Sequence, residues 1–270
     1  MRLIILTILF IGLSFAAHAQ KLPKVQSIGL RVPADIKIDG NIGEWGNKFE
    51  AYNKATQIFY SIANDNDHLY LVVHITDNTI INKAVAGGIT LTVSNSDKKD
   101  DNTGIAITFP KYNPLERPPF NMSFSYKPPV TRDSLKDKAQ IDSVRRAYNR
   151  KLSAQAKFIG TAGINNIDDN ISIYNYDRIK VAFGFDNKLA YNYELSFPSA
   201  YLPLKVVNKT KLHYQIKLNG LAVDGTNIRE PREGYFVFTG ADGRNYLGMG
   251  PDFAGIMSPT NFSGDYLFIQ

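Results

Sequence analysis

The sequence predicts an all-β fold, an antiparallel β-sandwich of the jelly-roll or immunoglobulin-like kind with one inserted basic helix. Three observations carry this. Aromatic residues are plentiful, with 15 Tyr and 16 Phe, and 20 Gly with 13 Pro supply turns. Short runs of alternating or β-branched residues recur between turn dipeptides. Only the stretch 132–157 runs long without Gly or Pro while spacing its apolar residues as a helix does.

Residues 1–19 read as a secretory leader. Arg2 supplies the positive start, 3–15 form an apolar run, and Ala17-His18-Ala19 sets small residues at the −3 and −1 positions of a cleavage site before Gln20. The run is shorter than the roughly 20 apolar residues of a membrane anchor. No later segment could span a bilayer. The mature chain of 251 residues is therefore expected to be periplasmic or secreted, as a single sandwich domain over 20–270 with a helical insertion at about 131–157.

The mature chain opens with expected strands at 27–32 and 36–38, the second ending at the turn Asp39-Gly40. Strands at 55–63 and 68–76 flank Asn64-Asp65-Asn66-Asp67, which reads as a hairpin loop. Further strands are expected at 89–93, 105–109 and 122–126, then after the helix at 158–161, 171–174, 179–185 and 189–197, and finally at 211–218, 235–238 and 266–269. The proline-rich stretches 111–129 and 226–231 read as loops that decorate sheet edges. Along 69–76, Leu69, Leu71, Val73 and Ile75 form one apolar face, and along 190–197 Tyr191, Tyr193, Leu195 and Phe197 do the same. Their opposite faces, which carry His74, Asn192, Glu194 and Ser196, read as half wet.

The chain has no Cys, which excludes a disulfide scaffold, a thiolate metal site and a lipid anchor on an N-terminal Cys. Its net charge of +6 is local. In 132–157, the eight bases Arg132, Lys136, Lys138, Arg145, Arg146, Arg150, Lys151 and Lys157 face three acids, and the rest of the mature chain is neutral. Nucleic-acid binding is therefore not expected. Thr131 or Asp133 can cap this helix, and Ile141, Val144, Tyr148 and Leu152 give it a narrow apolar stripe. Its bases are expected to face solvent, or to dock on an envelope protein or an anionic surface.

Three pieces in order resemble carbohydrate-binding module family 9, within the DOMON-like sandwiches. They are Ile38-Asp39-Gly40 with Gly43-Glu44-Trp45, the run from Asp65-Asn66-Asp67-His68 through Leu69-Tyr70-Leu71 to Thr76-Asp77-Asn78, and Tyr193-Glu194-Leu195-Ser196-Phe197-Pro198. The resemblance implies a non-catalytic sandwich that binds a glycan, with a sugar held between two Trp rings and calcium in some members. Here the two platform positions fall at Val85-Ala86-Gly87-Gly88 and near Met257, and neither is aromatic. Phe253, Phe262, Tyr112, Phe120 and Tyr126 are the residues that would supply a ring from loops, and Met257 joins them as a candidate ligand contact. Trp45 reads as a structural plug.

Other chemistries leave thinner traces. Asp39, Glu44, Asp65, Asp67 and Asp77 sit on the turns beside those pieces and are the candidate calcium ligands, calcium being the expected cofactor if one is bound. His68, His74 and His213 have no zinc spacing. His74 and His213, with Met122, Met249 or Met257, are the residues a haem site would use. No nucleophile elbow or phosphate loop is present, and Glu44 and Glu194 are candidates for paired-carboxylate chemistry by residue type alone.

Overall fold

The computed structural model describes residues 21–95, 104–112, 134–205, 207–220, 228–232, 235–239, 245–249 and 255–269. The leader, the expected strand at 122–126 and the expected caps Thr131 and Asp133 lie outside them. Among the described residues the chain forms an all-β sandwich of two antiparallel sheets.

One sheet runs in the order β1-β2-β3-β9-β8, from Ala51–Asn53 (β1), Ile58–Asn64 (β2), His68–Ile75 (β3), Lys180–Phe185 (β8) and Tyr191–Pro198 (β9). The other runs β14-β10-β4-β5-β6-β7, from Ile89–Asn95 (β4), Ile105–Lys111 (β5), Phe158–Ala162 (β6), Asn170–Ser172 (β7), Lys211–Leu218 (β10) and Thr260–Leu267 (β14). Ile228–Arg232 (β11), Tyr235–Thr239 (β12) and Asn245–Met249 (β13) form a third, three-stranded sheet. The stretch 226–231, expected as a loop, thus contributes an edge strand. Pro231 falls where the β11–β12 register breaks between Arg229 and Arg232, so no ladder hydrogen bond is asked of it.

The two large sheets face each other through one apolar cluster. Alternate residues of β2, β3 and β9 (Tyr60, Ile62, Leu71, Val73, Tyr193, Leu195) meet those of β4, β5 and β10 (Leu91, Val93, Ile107, Tyr214, Ile216). Each is essentially inaccessible to water, which stabilises the fold by about 1.5–3 kcal/mol for each fully buried aliphatic or Phe side chain. A closed ring of hydrogen bonds ties the sheets to the N-terminal segment. Gln26 N–H donates to Tyr60 Oη, and Tyr214 Oη donates to the Gln26 carbonyl. The Tyr60 hydroxyl must therefore donate to Tyr214 Oη, 2.9 Å away.

The outer face of the first sheet is not half wet. Every residue of β9 is buried, Asn192, Glu194 and Ser196 included. Residues 30–49 fold back over that face, where Ile42 and Trp45 join Ala63, Tyr70 and Val72 in a second apolar cluster edged by Leu30, Val32, Ile36, Ile38 and Phe49. The expected strands at 27–32 and 36–38 are therefore a covering strap, whose one backbone bridge to the sheet among the described residues is the parallel pairing at Arg31–Asn64.

Among the described residues two α-helices longer than two turns accompany the sheets. Asn78–Gly87 (α1), absent from the sequence reading, is capped by Asp77, whose carboxylate accepts the Ile80 amide at 3.0 Å. Ser134–Gln155 (α2) is the expected basic helix. Only Leu152 of it is fully buried, and it lies along β8 through Tyr148 against Phe185 and through Asn149 Oδ1, which accepts the Phe185 amide at 2.8 Å.

Candidate functional site

The three sequence pieces that carry the family resemblance meet around Glu194. Its Oε1 accepts the Trp45 indole N–H at 2.8 Å, and its Oε2 accepts the amides of Gly40 at 2.8 Å and Asp39 at 3.1 Å. Burial raises the Glu194 carboxyl above its ordinary value of 4.5, against the pull of these three donors. Gly40 has φ of +85° and lies so close to β8 that a Cβ would stand 2.3 Å from the Phe183 carbonyl, so only glycine fits. Glu194 is a buried clasp for the strap. Glu44 sits within the same strap with Oε2 buried and no partner among the described residues, and Glu194's oxygens are committed to donors.

Three of the five carboxylates proposed for calcium, those of Asp39, Asp65 and Asp77, accept hydrogen bonds close by in sequence. Asp39 accepts the Asn41 amide at 2.8 Å, and Asp77 caps α1. Asp65 accepts the Tyr70 hydroxyl at 2.7 Å and the amides of Asp67 and His68, closing the β2–β3 hairpin, while the Asp67 carbonyl accepts the Ser199 amide. Burial pushes the Asp65 carboxyl up, but these hydrogen bonds outweigh it and hold it below its usual 3.8. Among the described residues no three His, Asp or Glu side chains gather as a metal site would require. The expected calcium set is not assembled among the described residues, where Asp39, Asp65 and Asp77 instead accept nearby backbone amides.

The histidines proposed for haem stand on different sheets. His74 Nδ1 is 2.7 Å from Asn192 Oδ1 and its ring stacks on Phe49, while His213 Nδ1 is 2.9 Å from Asp265. The side chains of Met122 and Met249 lie outside the description.

The two platform positions implied by the resemblance do converge. A Cβ on Gly87 would lie 2.0 Å from the Gly220 carbonyl, and one on Gly220 would lie 2.6 Å from the Met257 carbonyl. Backbone thus fills the space that rings would need. Met257 is buried, and Tyr112 is turned inward to donate its hydroxyl to the Val85 carbonyl at 3.0 Å. Phe262 packs on Tyr60 with ring centroids 5.0 Å apart. These three proposed ligand contacts are packing residues instead, because this end of the sandwich is sealed by close backbone approach. Phe120, Tyr126 and Phe253 lie outside the described residues.

An open groove of about 670 Å³ runs beside the Glu194 clasp, between the strap, β8 and α2. Asp39, Asn41 and Asn47 line it from the strap, and Arg145 and Asn149, one helical turn apart, line it from α2. Asp186 and Asn187 close one end at the β8–β9 turn, where Asp186 Oδ1 accepts the amides of Lys188 and Ala190. Buried Asn192 lies at its inner wall, and Phe183 adds an apolar edge. Arg145 is paired to Asp142 at 3.0 Å, and the Asp39 and Asp186 carboxylates accept backbone amides, so the side-chain amides of four Asn residues dominate the remaining hydrogen-bonding capacity. Side-chain amides offer a donor and an acceptor together, which suits a ligand rich in hydroxyls rather than an ion. No sequence signal marked this groove, since its residues come from four separated segments and their types are ordinary for turns.

No protein-family model matches the chain, and no curated protein matches it. Among solved structures it is similar to a carbohydrate-binding module of family 9 from Caldicellulosiruptor kristjanssonii in complex with glucose, at 9% identity and a TM-score of 0.37, over 90% of this chain and 95% of that one. Among the described residues no helix is long and apolar enough to cross a membrane.

Proposed function

We propose that the protein is an exported, non-catalytic sandwich that binds a glycan in the groove beside the Glu194 clasp. The groove itself carries the reading. It sets Asn41, Asn47, Asn149 and Asn187 around one cleft, with Arg145 and the apolar edge of Phe183 at its side. Vicinal sugar hydroxyls need paired donors and acceptors, and amides supply both without the desolvation cost of a charge. The non-catalytic part rests on Glu194, the candidate acid, whose two oxygens hold the strap closed. Export rests on the leader pattern of residues 1–19, and mass spectrometry of exported protein should find Gln20 as the first residue.

Calorimetric titration of the chain from Gln20 against a panel of neutral oligosaccharides tests the binding. Asn187→Ala and Arg145→Ala should weaken the best ligand at least tenfold and leave Tm unchanged, because Asn187 is exposed and Arg145 only half-buried. Absence of a saturable signal across the panel, or full affinity in both variants, refutes the groove.

A second reading, an envelope interaction protein without sugar binding, is favoured by one observation. The outward face of α2 presents Arg146, Arg150 and Lys151, all exposed and without an ion-pair partner among the described residues. A silent glycan panel together with retention on anionic envelope material, abolished by neutralising these three bases, would select it.

A further inference from the structure

We infer that the groove beside the Glu194 clasp is part of a longer trough across the sheet, and that its ligand is an extended neutral oligosaccharide of about four or five sugars. The inference rests on the proposed glycan reading and adds to it the length of the ligand and the residues that sense it. A second groove, of about 640 Å³, opens on the same face, lined by Lys21, Pro23, Lys48, Phe49, Glu50 and Phe59 among others. Asn47 is the one residue that lines both grooves.

Strand register joins them beneath. Gly184 of β8, Asn192 of β9, His74 of β3, Phe59 of β2 and Tyr52 of β1 are direct cross-strand partners in succession. Four strand steps make this row about 19 Å long. It lies on the outer face, because Tyr60, Val73 and Tyr193, its neighbours along the strands, point into the core. The two rows beside it, Ser61–Val72–Glu194 and Ala63–Tyr70–Ser196, lie under the strap, which ends its hold where the Glu50 amide donates to Ser61 Oγ at 2.9 Å. The row from Gly184 to Tyr52 begins where that cover stops. Asn192 is buried in it, and the other four members are half-buried.

Chemistry changes along the row. Toward β8 the first groove offers the amides of Asn41, Asn149 and Asn187. Toward β1 the surface turns aromatic: Tyr52 and Phe59 have ring centroids 4.5 Å apart, and Phe49, 5.9 Å from Phe59, stacks on His74. Amides take sugar hydroxyls, and flat rings take the C–H faces of pyranoses. A 1→4-linked pyranose advances by about one strand step, so a chain laid along the row meets amides with its first sugars and rings with its last.

Two observations turn away other occupants. A peptide added as a strand needs a free sheet edge, but the Tyr52 amide already donates to the Pro23 carbonyl at 3.0 Å, and Asn53 Nδ2 donates to the Lys24 carbonyl. A charged polymer needs an excess of one sign, but the charged residues lining the two grooves are Lys21, Lys48 and Arg145 against Asp39, Glu50 and Asp186.

Calorimetric titration of the chain from Gln20 with β-1,4-linked gluco-, xylo- and manno-oligosaccharides of two to seven units tests the trough. In the series that binds, affinity should rise at least tenfold from two units to five and level off beyond. Phe59→Leu keeps apolar bulk against Tyr52 but removes the ring. It should melt cooperatively, weaken the pentasaccharide at least fivefold and change the disaccharide less than twofold. Asn187→Ala should weaken both lengths. Affinity that does not grow with length, or a Phe59→Leu protein that binds the pentasaccharide as the parent does or loses both lengths equally, overturns the trough, and loss of binding in Asn187→Ala then leaves the shorter groove standing. Silence across all three series overturns the trough and the glycan reading together.

Discussion

Trp45 and Glu194 lie 149 residues apart in sequence, and the indole N–H of the one donates to the carboxylate of the other at 2.8 Å in a site closed to water. Glu194→Gln keeps the shape but turns an N–H₂ toward donors on one side, leaving buried N–H groups without acceptors. Such an unpaired group costs about 1–3 kcal/mol, and thermal unfolding should show the loss. Trp45 is the sole tryptophan, so its fluorescence reports the clasp directly. Because burial raises the folded carboxyl above 4.5, the proton is held more tightly in the folded state. The stability this contributes is full below 4.5 and is lost as pH rises through the folded value. Fluorescence should titrate with a midpoint above 4.5, and that step should vanish in Glu194→Gln.

Hydroxyls in the core separate into two kinds, and Tyr→Phe substitutions should tell them apart. Tyr193 Oη is buried with no partner among the described residues, and burial holds its proton on firmly. Tyr193→Phe should leave stability unchanged or raise it by up to about 1 kcal/mol, since an unpaired polar group is removed. Tyr60→Phe breaks the ring through Gln26 and Tyr214 and should cost about 1–3 kcal/mol. Urea denaturation of the two variants should give opposite signs or near-zero against clear loss.

How much of this was legible depends on where the information sits. Strands such as 211–218 showed plainly, because a buried face alternates with a wet one along β10. On β9 the same alternation misled: Asn192, Glu194 and Ser196 look like a wet face until residues 30–49 fold over them. Helix α1 was hidden by β-branched residues, although Asp77 as cap, the spacing Ile80, Ile81, Ala84, Val85, and the stop at Gly87-Gly88 were all present. The groove could not be read, because four distant segments supply it.

Gly87 tests the sealed end of the sandwich. Its Cα faces the Gly220 backbone so closely that any side chain must displace main chain, not a flexible tip. Gly87→Ala should therefore lower stability by about 1–3 kcal/mol, as overpacking does, despite the gain in helix propensity that alanine brings at an ordinary site. Asp77→Ala, at the other end of α1, should cost about 1 kcal/mol through the lost cap alone. A Gly87→Ala variant more stable than the parent would show that the end can open.

Asp65 makes the acid limb of stability its own. Its carboxylate accepts the Tyr70 hydroxyl and two backbone amides at the β2–β3 turn, and these bonds hold its folded value below 3.8. The contribution is present above 3.8 and disappears as pH falls through the depressed folded value, the reverse of the Glu194 case. Asp65→Asn should be less stable near neutrality by about 1 kcal/mol, after discounting for the partial exposure of the carboxylate. It should also lose part of the parent's decline below 3.8. Thermal melts from pH 2.5 to 7 decide this: parallel curves for parent and Asp65→Asn would mean that the hairpin turn is held by backbone geometry rather than by the charge on Asp65.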